Sequence, residues 1–279
     1  MFEKILVATD FSHHSLAALH AGLNLARRCL CELQVVHVVS VPEDLYGVWQ
    51  KMDHFFTGEL YPKCKREVLD GHPVFRQILD YALKNESQLI VAGSHGGTIA
   101  DIFMGSVAQQ LVRNSTIPVL VVRGTEQVES CSQSFERILV PSDFSPASRA
   151  ALDFGIRFSN FLQADLHLVH VVDLPKVENL REMYAASGWT IPESNNLNVD
   201  PVLQDMLSET DASREPTIAT LIGDPVKELI RYAHEEKIDL IVMGTRGRKG
   251  LERLLLGSVT ASMISKSDVP VIAISSQRL

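Results

Sequence analysis

Short runs of apolar, largely β-branched residues recur along the chain and alternate with stretches in which apolar residues repeat at helical spacing. Val226, Leu229, Ile230 and Ala233, for example, show the i, i+3, i+4, i+7 spacing of one helix face. Apolar strands that alternate with helices are typical of a parallel sheet covered by helices on both faces. The predicted strands are residues 5–8, 33–39, 89–92 and 119–122, followed by 138–140, 166–172, 217–222, 240–243 and 271–274.

The first segment of the chain is repeated later in the sequence. Residues 4–12 read Lys-Ile-Leu-Val-Ala-Thr-Asp-Phe-Ser, and residues 137–145 read Arg-Ile-Leu-Val-Pro-Ser-Asp-Phe-Ser. Further along, Gly105-Ser106-Val107 corresponds to Gly257-Ser258-Val259. A repeated unit of about 130 residues has the length of a domain rather than of a solenoid repeat. The sequence therefore predicts a tandem duplication of one domain.

The predicted domains have the same α/β architecture, each with a doubly wound, five-stranded parallel sheet. The first domain spans residues 1–124 and the second spans residues 135–279. Residues 125–134 are polar and aperiodic, which indicates a linker.

The composition of the chain excludes several classes of protein. It has 279 residues, of which 46% are hydrophobic and 22% charged, as in an ordinary folded protein. The net charge of −8 argues against a nucleic-acid surface, which requires clustered positive charge. No stretch approaches the roughly 18 apolar residues of a membrane span, and the first residues lack a signal-peptide layout. Four cysteines are too few for a disulfide scaffold, so we expect a cytoplasmic protein.

Residues suited to binding phosphate follow the fourth predicted strand of the second copy. That strand runs into the glycine-rich loop 244–250, and Gly257-Ser258 then opens a helix. In parallel α/β sheets ligands bind at the carboxyl ends of strands. Backbone N–H groups of a glycine-rich loop and the positive end of a helix dipole attract phosphate, and Ser258 suits the N-cap. The loop also carries three cations, whereas a Walker sequence does not occur.

The spacing Gly244-x2-Gly247-x9-Gly257-Ser258 resembles the motif of the universal stress protein family. A first strand that ends in Asp-Phe-Ser and a second that ends in His-Val-Val strengthen the resemblance, which covers nearly the whole chain, twice. It implies an adenine nucleotide alpha hydrolase-like fold with five parallel strands in the order 3-2-1-4-5. It also implies ATP or another adenine nucleotide as ligand, with Mg²⁺ as a further option for which no acidic ligand can be named.

The resemblance also implies which residues bind the nucleotide. No catalytic residue and no metal ligand are implied. In the second copy the adenosine side comprises Pro141, Ser142, Asp143 and Val171, and the phosphate side comprises Gly244, Thr245, Arg246, Gly247, Arg248, Gly257, Ser258, Val259 and Thr260.

The first copy departs from this motif. Its loop is one residue shorter, Gly97-Thr98 replaces Arg248-Lys249, and Ala108 replaces Thr260. Loss of a charge-assisted hydrogen bond to phosphate costs about 1.5–3 kcal/mol. We therefore expect the second copy to bind nucleotide more tightly than the first. The matching residues that remain in the first copy are Asp10, Val38, Gly93, Gly96, Gly105 and Ser106.

The two strand-end aspartates also have a purely structural interpretation. Asp10 and Asp143 precede helices and could serve as N-caps, with Ser12 and Ser145 as alternative caps.

Other polar clusters are interpreted without a ligand. His37 and His170 lie within apolar strands, which favours hydrogen-bonded core residues over ligands. Cys29 and Cys31 match no zinc spacing and are predicted to end the first helix. The aromatic stretch 49–56 fits a helical cap, an interface or a lid.

Three functions remain open from the sequence. The leading hypothesis is an ATP-binding stress-response or regulatory protein whose conformation or partner binding follows nucleotide occupancy, with slow or no hydrolysis. The alternatives are an ATP-cleaving or adenylating enzyme on the same fold and a nucleotide-free scaffold.

The last predicted strand of each copy indicates how the copies associate. In the family that the chain resembles, this strand pairs across a two-fold interface. Residues 118–122 and 270–274 can pair in this way within one chain, which would form a pseudo-dimer and cover two sheet edges. A homodimer of the whole chain is a further option.

Overall fold

The computed structural model describes residues 1–39, 45–56, 62–94, 107–124, 135–173, 200–208, 210–245 and 256–275. The elements of the first half are β1 (Lys4–Thr9), α1 (His13–Cys29), β2 (Glu32–Val39), α2 (Leu45–Phe55), β3 (Cys64–Asp70), α3 (Val74–Lys84), β4 (Leu89–Ser94), α4 (Val107–Asn114) and β5 (Val119–Arg123). Those of the second half are β6 (Arg137–Pro141), α5 (Pro146–Leu162), β7 (Asp165–Val172), α6 (Asp200–Ser208), β8 (Thr217–Ile222), α7 (Pro225–Glu235), β9 (Leu240–Gly244), α8 (Ser258–Lys266) and β10 (Val271–Ile274).

The strands form a single ten-stranded sheet in the order β3-β2-β1-β4-β5-β10-β9-β6-β7-β8. Within each half all neighbouring strands are parallel and follow the predicted order 3-2-1-4-5. The halves meet where β5 and β10 pair antiparallel, with Leu120 opposite Ile272. Because this pair is antiparallel, the strands of one half run opposite to those of the other. The carboxyl ends of the strands of the two halves therefore lie at opposite ends of the sheet, measured along the strand direction.

Two hydrophobic cores cover the two faces of the sheet, because successive residues of a strand point to opposite sides. On β1, Ile5 and Val7 belong to the core formed with α1 and α5, whereas Leu6 belongs to the core formed with α3, α4, α7 and α8. Central strands buried on both faces need apolar residues at every position, which explains why their sequences lack alternation.

Helices α1 and α5 are the two copies of one 17-residue element. Each begins after a serine N-cap, and each ends at a residue with left-handed backbone, Leu30 (φ 53°) and Gln163 (φ 57°). α1 ends at Cys29, so the prediction that the cysteine pair ends the first helix is confirmed.

Side chains of the first half also contact the second half. The ring of Phe2 lies 6.3 Å from that of Phe154 and 5.8 Å from that of Phe158, measured between centroids. The Arg28 guanidinium donates a hydrogen bond of 3.4 Å to the carbonyl oxygen of Leu162. These contacts join the two halves on the face that carries α1 and α5.

Strand β3 was not predicted. Lys65, Arg66 and Glu67 give it exposed charged positions, and it forms one edge of the sheet. Edge strands carry charges that discourage further pairing, so the apolar signal used for the other strands does not exist here. The proposed linker, residues 125–134, lies outside the described residues. In the described parts of the chain, no helix combines the length and apolar character needed to cross a membrane.

Candidate functional site

The candidate site of the second half lies at the carboxyl end of β6. This strand lies between β7 and β9, at the point where the chain changes the direction in which it adds strands. In open α/β sheets that switch point leaves a crevice beside the strand ends, where ligands bind. The predicted residues Pro141, Ser142 and Asp143 lie there, beside the ends of β7 and β9.

A tight turn joins β6 to α5 and fixes the position of Asp143. The Asp143 carboxylate accepts a hydrogen bond of 3.1 Å from the N–H of Ser145, and the Ser142 hydroxyl accepts one of 3.2 Å from the N–H of Phe144. Phe144 has a left-handed backbone (φ 62°), which a non-glycine residue adopts only where its surroundings require it. The N-cap of α5 is Ser145, whose hydroxyl accepts from the N–H of Ser148 at 3.2 Å.

The turn after β1 has the same construction. The N–H of Ser12 donates to Asp10 at 3.0 Å, the N–H of Phe11 donates to the Thr9 hydroxyl at 3.0 Å, and Phe11 has φ 63°. Ser12 caps α1. In both halves the cap is therefore the serine, and the aspartate belongs to the turn that precedes it.

A histidine from the neighbouring strand holds each turn. His170 Nδ1 lies 2.7 Å from the carbonyl oxygen of Ser142, and its ring packs on Phe144 with 4.6 Å between centroids. In the first half, His37 Nδ1 lies 2.9 Å from the carbonyl oxygen of Thr9, and its ring stacks on Phe11 at 4.3 Å.

A carbonyl oxygen can only accept, so Nδ1 is the donor in both contacts. The prediction that these histidines are hydrogen-bonded is confirmed, but their position at the candidate site was missed. A signal for this position was available in the sequence. In both copies the histidine lies 28 residues after the residue whose carbonyl oxygen it contacts.

A helix packs over each turn. Phe55 of α2 meets Phe11 edge-on with 5.7 Å between ring centroids, and the Met206 sulfur of α6 lies 4.0 Å from the Ser142 hydroxyl. Val48 and Met52 of α2 are buried. Of the three interpretations of the aromatic stretch 49–56, this packing of α2 over the turn fits the helical cap.

A groove of about 330 Å³ lies beside the turn of the second half. Phe144, Ser145, Pro146, Arg149 and Met206 line it. It lies between the first turn of α5 and helix α6.

The glycines at the ends of β4 and β9 permit close packing of the chain on itself. A Cβ atom added to Gly244 would lie 2.5 Å from the carbonyl oxygen of Ala147, and one added to Gly93 would lie 2.6 Å from that of His14. Both contacts are with backbone in the first turn of the long helix that follows the aspartate turn. The glycines were predicted to let a ligand approach the backbone. The structure gives them a packing role.

The N-terminus of helix α8 lies beside the carboxyl end of β9. Its N-cap is Gly257 and Ser258 is its exposed first residue, so the prediction that Ser258 is the N-cap is wrong by one position. The N–H of Gly257 donates to the carbonyl oxygen of Thr245 at 2.8 Å. N–H groups in the first turn of a helix have no acceptor within that helix, and those of Ser258 and Val259 belong to this first turn.

The buried Thr260 was expected on the phosphate side of the site, and its hydroxyl has a different partner. Its hydroxyl donates to the carbonyl oxygen of Gly244 at 2.8 Å and so links α8 to the end of β9. A hydroxyl has one hydrogen, and in this arrangement that hydrogen serves the protein rather than a phosphate. Ala108, its counterpart in the first half, is buried and has no such bond to make.

Two further predicted residues lie on the strands beside the turns. Val171 is half-buried on β7 opposite Leu221, and Val38 is buried on β2 opposite Leu69. The predicted site residues Arg246, Gly247, Arg248, Gly96, Gly105 and Ser106 lie outside the described residues.

The donor set fits an adenine nucleotide better than it fits a metal ion. The Asp143 carboxylate can accept from ribose hydroxyls or from an adenine amino group, and helix N–H groups donate to phosphate oxygens. Among the described residues, no group of three or more His, Cys, Asp or Glu side chains is placed to hold a metal. The described residues thus offer acceptor and donor groups of the kind that suit a sugar and phosphates, and among them no such group of side chains encloses a cation.

These features define a class: a duplicated, doubly wound α/β protein with the same aspartate-containing turn at the switch point of each half. The sequence model of the Universal stress protein family matches residues 1–55, 57–123 and 134–275. The chain therefore belongs to the universal stress protein family, and the tandem organisation follows from the repeated match.

Some relatives are similar to nearly the whole chain, and others are similar to about half of it. Universal stress protein Rv2005c of Mycobacterium tuberculosis is 27% identical, with 96% of this chain and 95% of that protein covered. Universal stress protein MJ0577 of Methanocaldococcus jannaschii is 27% identical and matches 51% of this chain over 96% of its own length. A universal stress protein structure from Archaeoglobus fulgidus superposes with a TM-score of 0.65 at 23% identity, covering 98% of this chain and 96% of that one, which supports the fold.

Proposed function

We propose that this protein is an adenine-nucleotide-binding stress-response or regulatory protein, with ATP as the expected ligand and little or no hydrolysis. In this proposal nucleotide occupancy biases the conformation of the protein or its binding to a partner. The observation that carries the proposal is the repeated turn in which Asp143 is fixed by the N–H of Ser145 beside the N-terminus of α8.

The proposed binding mode follows from the chemistry of that crevice. Asp143, with the backbone around Val171, receives the adenosine part, because a fixed carboxylate accepts from its hydroxyl or amino groups. The N–H groups of Ser258 and Val259, with the loop that carries Arg246, Gly247 and Arg248, receive the phosphates. The chain's own groups bind and orient the nucleotide. Mg²⁺, where bound, would supply charge neutralisation on the phosphates themselves.

The second half is proposed to bind more tightly than the first. The turn geometry is the same in both, so the difference comes from the phosphate side. The second half has Arg248-Lys249 where the first has Gly97-Thr98. Thr260 contributes by anchoring α8 to Gly244 rather than by donating to phosphate, and Ala108 cannot do this.

The organisation of the whole chain is part of the proposal. In this proposal residues 1–124 and 135–279 are two domains joined by residues 125–134, and the antiparallel β5–β10 pair supports an intrachain pseudo-dimer. That pair uses an edge of each half, leaving β3 and β8 at the outer edges of the sheet. A homodimer of the whole chain and a cytoplasmic location complete the proposal.

The test is to identify what the protein carries. Full-length protein purified without added nucleotide is denatured, and the released small molecules are identified by mass spectrometry and counted per chain. ATP or another adenine nucleotide supports the proposal. Incubation with ATP should then release little ADP or AMP. A protein that carries no nucleotide and shows no heat of binding with ATP would refute the proposal in favour of a scaffold, and rapid product release would favour an enzyme.

A further inference from the structure

Arg123, the last residue of β5, reaches from the first half of the chain to the second. Its backbone lies at the carboxyl end of the first half's strands, in register with Ser94 at the end of β4. Its Nη1 donates a hydrogen bond of 3.4 Å to the carbonyl oxygen of Lys266 and lies 3.4 Å from the Asp268 carboxylate. Lys266 is the last residue of α8, so a residue of the first half holds the C-terminus of a helix in the second half.

The antiparallel junction of the two halves brings these groups together. β5 ends beside the start of β10, and α8 comes directly before β10 in the chain. The end of β5 is itself closely packed on the first half. The residue after Arg123 is Gly124, and a Cβ atom added there would lie 2.7 Å from the Cα of His14 in the first turn of α1. The arginine therefore extends toward α8 from a well-packed point beside the crevice of the first half.

We propose that Arg123 is a positioning residue for the phosphate side of the nucleotide site in the second half. It acts through α8, whose first turn carries the N–H groups of Ser258 and Val259. Arg123 holds the opposite end of that helix and does not contact the ligand. The inference rests on the proposed function, because it concerns the phosphates of the same nucleotide, and it makes the site of the second half depend on a residue of the first.

The C-terminus of a helix is the end that a guanidinium suits. The last carbonyl groups have no N–H partner within the helix, and the helix dipole favours a cation there. The bond to the carbonyl oxygen carries the positioning, because the Asp268 side chain is 62% exposed and exposed ion pairs contribute little.

Holding both ends of α8 fixes the direction of its axis. The helix has nine residues, which corresponds to a rod about 13 Å long. Near its N-terminus Thr260 bonds the carbonyl oxygen of Gly244, and at its C-terminus Arg123 bonds that of Lys266. Loss of the second bond lets the helix tilt about the first, which changes the direction of the N–H groups offered to phosphate.

The first half holds the equivalent helix in a different way. In α4 the last residue, Asn114, donates its side-chain N–H to the carbonyl oxygen of Gln110 at 2.8 Å. The second half has Lys266 in place of this asparagine, and Ser275 corresponds to Arg123. α4 is thus capped by its own side chain, whereas α8 is held by a side chain from the other half. The helix supported across the junction belongs to the half that is proposed to bind more tightly.

The first test compares ligands with and without phosphates. Full-length Arg123→Gln is titrated calorimetrically with ATP and with adenosine. In the proposed binding mode adenosine lies at Asp143 and only the phosphates reach α8. The tighter ATP event should therefore weaken by about two- to tenfold, as expected for loss of one hydrogen bond, while adenosine affinity stays unchanged. Arg123→Lys, which keeps a cationic donor, should recover most of the ATP affinity. Equal weakening of both ligands, or unchanged ATP affinity in Arg123→Gln, would overturn the proposal.

Asn114→Ala is the matched control, because it removes the corresponding cap from α4 of the first half. The tighter ATP event should be unchanged in this variant. A loss as large as that of Arg123→Gln would contradict the assignment, since the tighter event would then not depend on α8 in particular.

Hydrogen exchange without nucleotide separates this proposal from the proposed function. The amides of α8 should exchange about two- to tenfold faster in Arg123→Gln than in the wild type, while those of α4 stay unchanged. If the wild type binds neither ATP nor adenosine, the proposed function fails, and the exchange rates still report whether Arg123 holds α8. Unchanged exchange in α8 refutes the positioning role even where ATP binds.

Discussion

His170 and Ser142 are joined by a hydrogen bond of 2.7 Å from the imidazole Nδ1 to the backbone carbonyl oxygen. The carbonyl belongs to the residue immediately before Asp143, so the histidine on β7 fixes the backbone from which the candidate ligand-binding carboxylate extends. His37 makes the equivalent bond to Thr9 before Asp10. The two halves thus keep the same support for the strand-end turn although their phosphate-side sequences have diverged.

Replacing His170 with phenylalanine should remove this bond while preserving a ring against Phe144. A net hydrogen bond contributes about 0.5–1.5 kcal/mol to stability. We expect His170→Phe to lower the free energy of unfolding by about that amount in urea titrations, and His37→Phe to do the same in the first half. Wild-type stability in both variants would show that the bond does not hold the turn.

A buried histidine in the second half makes stability depend on pH. Burial lowers the pKa of His167, while the Glu236 carboxylate acts weakly in the opposite sense. His167 Nδ1 lies 2.9 Å from the hydroxyl of Tyr232, whose own pKa burial raises to about 12, so that this hydroxyl remains a donor. The neutral imidazole is therefore the form that the fold accommodates.

The sign of the effect follows from the lowered pKa. Below the unfolded-state pKa of about 6.5 the unfolded chain takes up a proton that the folded protein does not, so stability falls as pH decreases from there toward the folded-state pKa. His167→Gln introduces the residue of the first half, Gln34. The variant should lose less stability than the wild type between pH 7.5 and 5, measured by urea titration at each pH. Parallel pH profiles would refute this assignment.

Gly244 should not tolerate a side chain. The Cβ of alanine would lie 2.5 Å from the Ala147 carbonyl oxygen, and a helix backbone cannot yield as a flexible side chain can. Overpacking of this kind costs about 1–3 kcal/mol. Thermal and urea unfolding of Gly244→Ala should show that loss, and Gly93→Ala should show a similar loss in the first half. If Gly244→Ala kept full stability but lost nucleotide binding, the glycine would have the ligand-contact role that the sequence indicated.

Most of the fold could be predicted from the sequence, because the inner strands are apolar throughout and are repeated in both copies. It also located the strand-end turns, since Asp-Phe-Ser occurs at the same place after β1 and β6. β3 escaped prediction because an edge strand with Lys65 and Arg66 has no apolar pattern.

The contacts of two residues at the candidate site could be identified only from the structure. A motif glycine gives the same sequence signal whether a ligand or a helix backbone approaches it, and the close packing of Gly244 on Ala147 is visible only in the structure. A hydroxyl at the start of a helix gives no sign of where its hydrogen points, and Thr260 turned out to bond the carbonyl oxygen of Gly244.

The most direct test of two unequal nucleotide sites is calorimetric titration of full-length protein with ATP, using Asp143→Asn and Asp10→Asn as matched variants. Asparagine keeps the oxygen that accepts from Ser145 or Ser12, so each turn survives and only the charge is removed. We predict that Asp143→Asn weakens the tighter binding event by roughly tenfold or more, as expected for loss of a charge-assisted hydrogen bond, while Asp10→Asn leaves that event unchanged. Equal effects of the two substitutions, or tight binding unaffected by Asp143→Asn, would contradict the account.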